Sequence, residues 1–193
     1  MTIRPGEAWG VAFDGPDPVE VHDDPALARH LVAAPTAPVW LRGGDLHRSM
    51  GAPDRSSERM IMAVDLGVVR IDGGDERPFA AHVVVRRWGW RGRFLVILNS
   101  AYLGTWHAGP RAHPNDGRLD VIDGALGFRQ RLQARRRAAT GAHLPHPALS
   151  TSRVATGEWE LDHPSTVWID GRRAGRARII EVRIQPDAGS VVA

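Results

Sequence analysis

The chain reads as mainly β with minor α, an α+β arrangement. An antiparallel β-sandwich or barrel-like domain with one long helix follows a small amino-terminal α/β stub. Three observations predict it. From Arg59 onward, short runs rich in Val, Ile and Trp are separated by glycine turns at regular spacing. Within that region one stretch, Ala125 to Ala139, carries the apolar period of a helix. Residues 1–58 instead hold Pro, Gly and Asp with one short helix signal. The expected division is therefore a reduced segment over 1–58 and a β domain over 59–193.

Residues 1–24 are expected to be irregular, with Trp9 to Phe13 as one edge strand. Asp23-Asp24-Pro25 is a helix start, an Asp cap followed by Pro in the first turn. The helix it opens, Ala26 to Ala33, stops before Pro35. Pro38 to Leu41 is a brief strand, and Arg42-Gly43-Gly44-Asp45 turns the chain into a helical turn over His47 to Met50. Strands follow at Met60–Leu66, Gly67–Ile71, Phe79–Val85 and Arg93–Leu98, with turns at Asp72-Gly73-Gly74-Asp75 and Arg91-Gly92. Trp88-Gly89-Trp90 is expected in the core, because large aromatic rings bury most of their area.

Asn115-Asp116-Gly117 is a tight turn, since Asn and Asp bond their own backbone and Gly accepts positive φ. A strand from Arg118 to Ile122 leads to the helix. There Phe128, Leu132 and Ala139 form one stripe, and Arg129, Arg131, Arg135, Arg136 and Arg137 fill the rest. That basic face is either simply solvated or a contact for anionic lipid headgroups. Gly141 stops the helix. Strands near Ser152–Ala155, Trp159–Leu161, Thr166–Ile169 and Ala177–Ile184 close the chain, with Asp170-Gly171 as a turn.

With 193 residues, 42% hydrophobic and 24% charged, the chain has the means to bury a real core. It has no cysteine, which excludes disulfides and thiolate metal sites. All 25 basic residues are arginine, so lysine Schiff-base chemistry and a lysine phosphate clamp are excluded, while guanidinium forks remain for phosphate. A net charge of +3 gives no reason to expect a nucleic acid partner. No apolar run reaches about 18 residues and Met1 to Gly6 lacks a signal-peptide core, so a cytoplasmic location is expected. His143 and His146 stand three apart, but no third ligand is near and Pro145 and Pro147 interrupt any helix, so zinc is not expected.

One ordered succession stands out: Asn99, Gly104, Pro110-x-Ala112, Asn115-Asp116-Gly117-x-Leu119-Asp120, Gly141-x-His143, Ile169-Asp170-Gly171 and Pro186. It resembles the second domain of the diacylglycerol kinase and sphingosine kinase family of lipid kinases, and it covers residues 60–193. Gly44-Asp45-Leu46 with Gly51-Ala52-Pro53 is similar to the family's Gly–Asn–Asp segment, with Gly44 where the family has Asn.

The resemblance implies a β-sandwich facing lipid, and a structural Mg²⁺ held by the Asp116 carboxylate and the main-chain carbonyls of His113 and Arg118. It implies a catalytic Asp-Gly-Glu turn, which here is Asp170-Gly171-Arg172. Arginine accepts no proton, so the base position is vacant and Asp170 is the remaining candidate. Arg42, Gly43, Gly44, Asp45 and Arg172 are the candidate phosphate contacts, through a glycine turn and guanidinium groups.

The family's ATP-binding half needs about a hundred residues and a Gly-Gly-Asp-Gly-Thr loop, and neither is found before the β domain. The expected function is a catalytically degenerate relative that binds an anionic lipid or phosphate-bearing small molecule, with peripheral membrane contact and a homodimer as partners to consider. The alternatives are an active phosphotransferase, alone or with a partner supplying the nucleotide domain, and a β domain kept for structure alone.

Overall fold

A computed structural model describes residues 9–54, 58–144 and 146–193; part of the irregular amino terminus expected above, and Pro145, lie outside them. Eleven strands form one hydrogen-bonded sheet, mostly antiparallel. The strands are β1 (Val11–Ala12), β2 (Val19–Val21), β3 (Val39–Leu41), β4 (Met60–Ile71), β5 (Arg77–Phe79), β6 (His82–Arg86), β7 (Arg93–Leu98), β8 (Leu119–Ala125), β9 (Leu149–Val154), β10 (Thr156–Ile169) and β11 (Arg172–Val192). Their order is β1-β4-β11-β10-β6-β7-β8-β9, with β5 on β4 and β3 on β11. Helices α1 (Asp24–Ala33) and α2 (Gly44–Ser49) belong to the amino-terminal segment, and α3 (Phe128–Ala138) to the sheet region.

The period-2 alternation explains how one sheet makes a core. Val83 and Val85, Leu95 and Ile97, and Leu119 and Val121 point to one side, where they meet Val69, Leu161 and Ile180. The sheet curls round this cluster, helped by irregularities in β10 between Glu160 and Ser165 and in β11 between Gln185 and Gly189. The intervening residues Val84, Phe94, Val96 and Ile122 face the other way and pack towards α3. Strands buried on both faces read as continuous apolar runs, which is why Arg93–Leu98 was legible residue for residue.

The α/β stub is real and tied into the sheet. β2 and β3 are parallel, and β3 runs parallel to the end of β11 through Val39↔Val191 and Trp40↔Val192. Asp23, extended at φ −149°, caps α1 by accepting the Ala26 N–H at 2.7 Å. The buried face of α1, Leu27, Ala28 and Leu31, packs with Leu41, Leu46, Val64 and Val191.

Three expectations need correction. Trp159–Leu161 and Thr166–Ile169 are parts of one strand, β10, not two. Met60–Leu66 and Gly67–Ile71 are one strand, not two, and Gly67 is an interior position rather than a break. A Cβ there would lie 2.1 Å from the Phe79 ring, so glycine makes room for that ring on the neighbouring strand. The Trp88-Gly89-Trp90 segment does not enter the core as a unit: Trp88 is 81% exposed. Gly89 and Trp90 both have positive φ, which reverses the backbone and throws Trp88 outward while Trp90 packs edge-on against Phe94.

Gly67→Ala is expected to lower stability by about 1–3 kcal/mol through overpacking against the fully buried Phe79. Thermal melting of the variant checks this, and an unchanged melting temperature would mean that the Phe79 ring moves freely.

Candidate functional site

Where the stub meets the sheet, four ionisable side chains converge. Asp24 opens α1, Asp45 lies in the first turn of α2, His82 begins β6, and Asp170 sits at positive φ in the turn between β10 and β11. The Asp170 carboxylate is buried and accepts three backbone N–H groups, from Ala80 at 2.8 Å and from Ala81 and His82 at 2.9 Å. Burial pushes its pKa up, against the opposing pull of His82 and those N–H groups. Its role as the candidate base meets a geometric obstacle, since the oxygens are spent on the chain itself.

Asp24 accepts the N–H groups of Asp45 at 2.7 Å and Leu46 at 3.1 Å. Those donors lie at the end of the Gly43-Gly44-Asp45 turn and one residue beyond it, so the chain's own carboxylate sits beside the turn where a phosphate was expected. Gly44 is required: its φ is +95°, and a Cβ would meet an Asp24 oxygen at 2.4 Å. Burial, followed by the Asp170 charge, raises the Asp24 pKa to about 7. Asp45 accepts the Gly104 N–H at 2.8 Å and lies 3.4 Å from Nδ1 of His82. That nitrogen is buried without a hydrogen-bond partner, and burial lowers the His82 pKa, keeping the ring neutral.

The two candidate arginines point elsewhere. Arg42 stacks 3.6 Å over the Trp40 ring and lies 3.8 Å from Glu20. Arg172, in place of the family's glutamate, pairs at 2.9 Å with Asp23, the α1 cap. Asp45 and Asp170 are thus brought together through His82, whereas Arg42 and Arg172 lie on flanking contacts.

The Asn115-Asp116-Gly117 turn forms a second cluster. Asp65, buried in β4, accepts the Gly117 N–H at 2.7 Å, the Asp187 N–H at 2.9 Å and the Asn115 amide at 3.2 Å. Asn99 links the two clusters, donating to the carbonyls of Asp65 and Ala80 at 3.0 and 2.9 Å.

One oxygen of Asp116 accepts the Arg118 N–H at 3.0 Å, and the other is bound by the Arg153 guanidinium, whose Nε also lies 3.4 Å from Asp120. His113 accepts the Asn115 N–H through Nδ1 at 3.2 Å. The cation beside Asp116 is therefore an arginine of the chain, and among the described residues no group of three or more His, Cys, Asp or Glu is placed to hold a metal ion. This donor set fits a divalent ion poorly.

Asp24, His82, Asp65 and Arg153 were not candidate site residues in the sequence, where Asp24 figured only in a helix start. Asp65 alone left a signal, as a carboxylate inside the apolar run Met60 to Ile71.

The third feature is a cavity of about 610 Å³ between the outer face of the sheet and α3. Phe94, Val96 and Ile122 form its floor, Trp90 and Trp106 a wall, and Leu132 part of its roof. Arg91, Arg131 and Arg135 also line it, and among the described residues no carboxylate does.

No family model and no curated protein sequence matches this chain. Solved structures do. A diacylglycerol kinase from Bacillus anthracis str. Sterne superposes over 80% of this chain with a TM-score of 0.55 at 12% identity. Two further structures from that organism carrying the diacylglycerol kinase designation give TM-scores of 0.58, also over 80% of the chain, at 12% and 11% identity. This is a diacylglycerol-kinase-like fold. The chain spans 66%, 68% and 69% of the length of those three proteins. Likeness at such low identity carries the fold and leaves function to the site.

The Asp24 pKa is raised on folding, so its contribution to stability is complete below 3.8 and is lost as pH rises through about 7. From pH 6 to 8 wild type is expected to lose about 1 kcal/mol relative to Asp24→Asn, a relative shift of a few degrees in melting temperature. The hydrogen bond lost in the variant sets a constant offset, and the histidines cancel in the comparison. Parallel pH profiles would show that Asp24 does not titrate there.

Arg153→Ala is expected to cost about 1 kcal/mol by leaving Asp116 beside Asp120, and to make the melting temperature respond to added Mg²⁺. A chelator is expected to leave wild type unchanged. A wild-type melting temperature that falls with chelator would mean that a bound ion, not Arg153, supplies the charge.

Proposed function

We propose that this is a lipid-kinase-related protein without phosphoryl transfer, which binds an amphiphile with an anionic head in the cavity under α3. The observation that carries the reading is the cavity itself: its apolar floor and roof suit acyl chain, and among the described residues its charged lining is arginine alone.

Three features support the loss of catalysis. Transfer to an alcohol requires a carboxylate free to take the hydroxyl proton. Both oxygens of Asp170 are engaged by N–H groups, and Arg172 cannot act as a base. The N–H groups of Asp45 and Leu46, just after the two glycines, are engaged by Asp24 rather than left for a nucleotide phosphate.

The setting follows from the surface. Among the described residues no helix is long and apolar enough to cross a membrane. Trp88 and Phe128, 81% and 76% exposed, stand at the cavity beside Arg91 and Arg131. Such a rim suits peripheral contact of a cytoplasmic protein with an anionic bilayer, at about 1 kcal/mol per basic group near the surface. Phosphoryl transfer remains the second reading, favoured by the meeting of Asp45 and Asp170 at His82.

Calorimetric titration with Mg²⁺·ATP is expected to give no heat of binding, while vesicles containing phosphatidylglycerol sediment the protein and pure phosphatidylcholine vesicles do not. Micromolar nucleotide affinity with phosphate transfer to diacylglycerol would replace this reading with the second.

A further inference from the structure

Helix α3 is built oddly for a helix that roofs a sheet. Of its 11 residues only Ala138 is buried, while Phe128 and Leu132, its large apolar side chains, are 76% and 49% exposed. Both line the cavity, so their exposure is towards a void rather than the outer surface alone. An isolated helix of this length is marginal in water, and its stability normally comes from packing an apolar face. Here that apolar face is turned to the cavity.

We infer that the cavity takes a single-chain amphiphile with an anionic head, a carboxylate or a phosphate, which packs against this face. The inference rests on the cavity reading proposed above and narrows it to one chain and one sign of charge.

Size gives the chain count. A methylene takes up about the volume of a water molecule, roughly 30 Å³, so about 610 Å³ holds on the order of twenty methylenes. That is one long acyl chain, and two such chains need about twice the space. Charge gives the head. Arg91, Arg131 and Arg135 line the cavity, and among the described residues no carboxylate lines it and none of the three arginines is in an ion pair.

Two of the arginines also mark the boundary between apolar and polar surface. Arg91 lies 5.5 Å from the centre of the Trp88 ring and Arg131 5.9 Å from that of Phe128. An aromatic edge under a guanidinium is what the neck of an anionic amphiphile meets. A cationic sphingoid-type head would be repelled by the same groups.

The test uses the purified chain and 9,10-dibromostearate, which quenches tryptophan on contact and so reports from Trp90 and Trp106. Saturable quenching at one equivalent is expected, with the uncharged dibrominated octadecanol binding at least tenfold more weakly. The double variant Arg131→Glu/Arg135→Glu is expected to lose about tenfold in dibromostearate affinity. Arg129→Glu/Arg137→Glu makes the same charge change on α3 outside the cavity lining and is expected to bind as wild type.

Lysophosphatidic acid is expected to compete, and dioleoyl phosphatidic acid is not. Competition by lysophosphatidic acid alone, without stearate binding, assigns the head to phosphate; stearate alone assigns it to carboxylate. Equal binding of octadecanol, or an unchanged Arg131/Arg135 variant, overturns the anionic head and leaves the cavity reading standing. Dioleoyl phosphatidic acid competing as well as stearate overturns the single chain and likewise leaves that reading standing. No quenching and no competition by any lipid overturns both.

Discussion

Buried aspartates that accept backbone N–H groups hold this molecule together. Asp170 fastens the start of β6 at Ala80, Ala81 and His82. Asp24 fastens the start of α2, and Asp65 fastens the Asn115–Gly117 turn and the Asp187 bend in β11. A buried carboxylate is tolerated only when its lone pairs are met, and here the backbone meets them. Each such bond joins segments far apart in the chain, so the stub, the sheet and the long loop between β7 and β8 are positioned by the same device.

That device also limits the chemistry. An aspartate is useful as a base or a metal ligand when its oxygens are within reach of a ligand. Asp24 and Asp170 share a low-dielectric seam in which the Asp170 charge adds to burial in raising the Asp24 pKa, and the neutral His82 lies between Asp45 and Asp170. On the function proposed above, this is a site closed upon itself, with Asp24 in the place of an anion at α2 and Arg153 in the place of a cation at Asp116. What stays open is apolar, the cavity beneath α3.

Much of the fold was legible because the signals were local. Asp23 with Pro25 started α1, Gly117 turned the chain, and the unbroken run Phe94 to Leu98 was a strand buried on both faces. Misreadings came where a local signal had a distant cause. Gly67 looked like a break and is an allowance for Phe79; the aromatic content of Trp88 looked like core and is displayed by a backbone reversal. At the site, Asp45 and Asp170 were found through the ordered motifs. Their partners were not, because His82 and Asp24 reach them only through pairings 21 to 88 residues apart in sequence. Arg153 carried no local mark at all; its meaning comes from the register that lays β9 beside Asp120.

Amide hydrogen exchange at Asp45, Leu46, Ala80, Ala81 and His82 tests the central claim most directly, because these are the N–H groups held by Asp24 and Asp170. All five are predicted to exchange slowly, only with global unfolding, and at rates unchanged by saturating Mg²⁺·ATP. Fast exchange in the native protein, or protection that changes when nucleotide is added, would mean that these carboxylates are free to serve a ligand and that the seam is a working site.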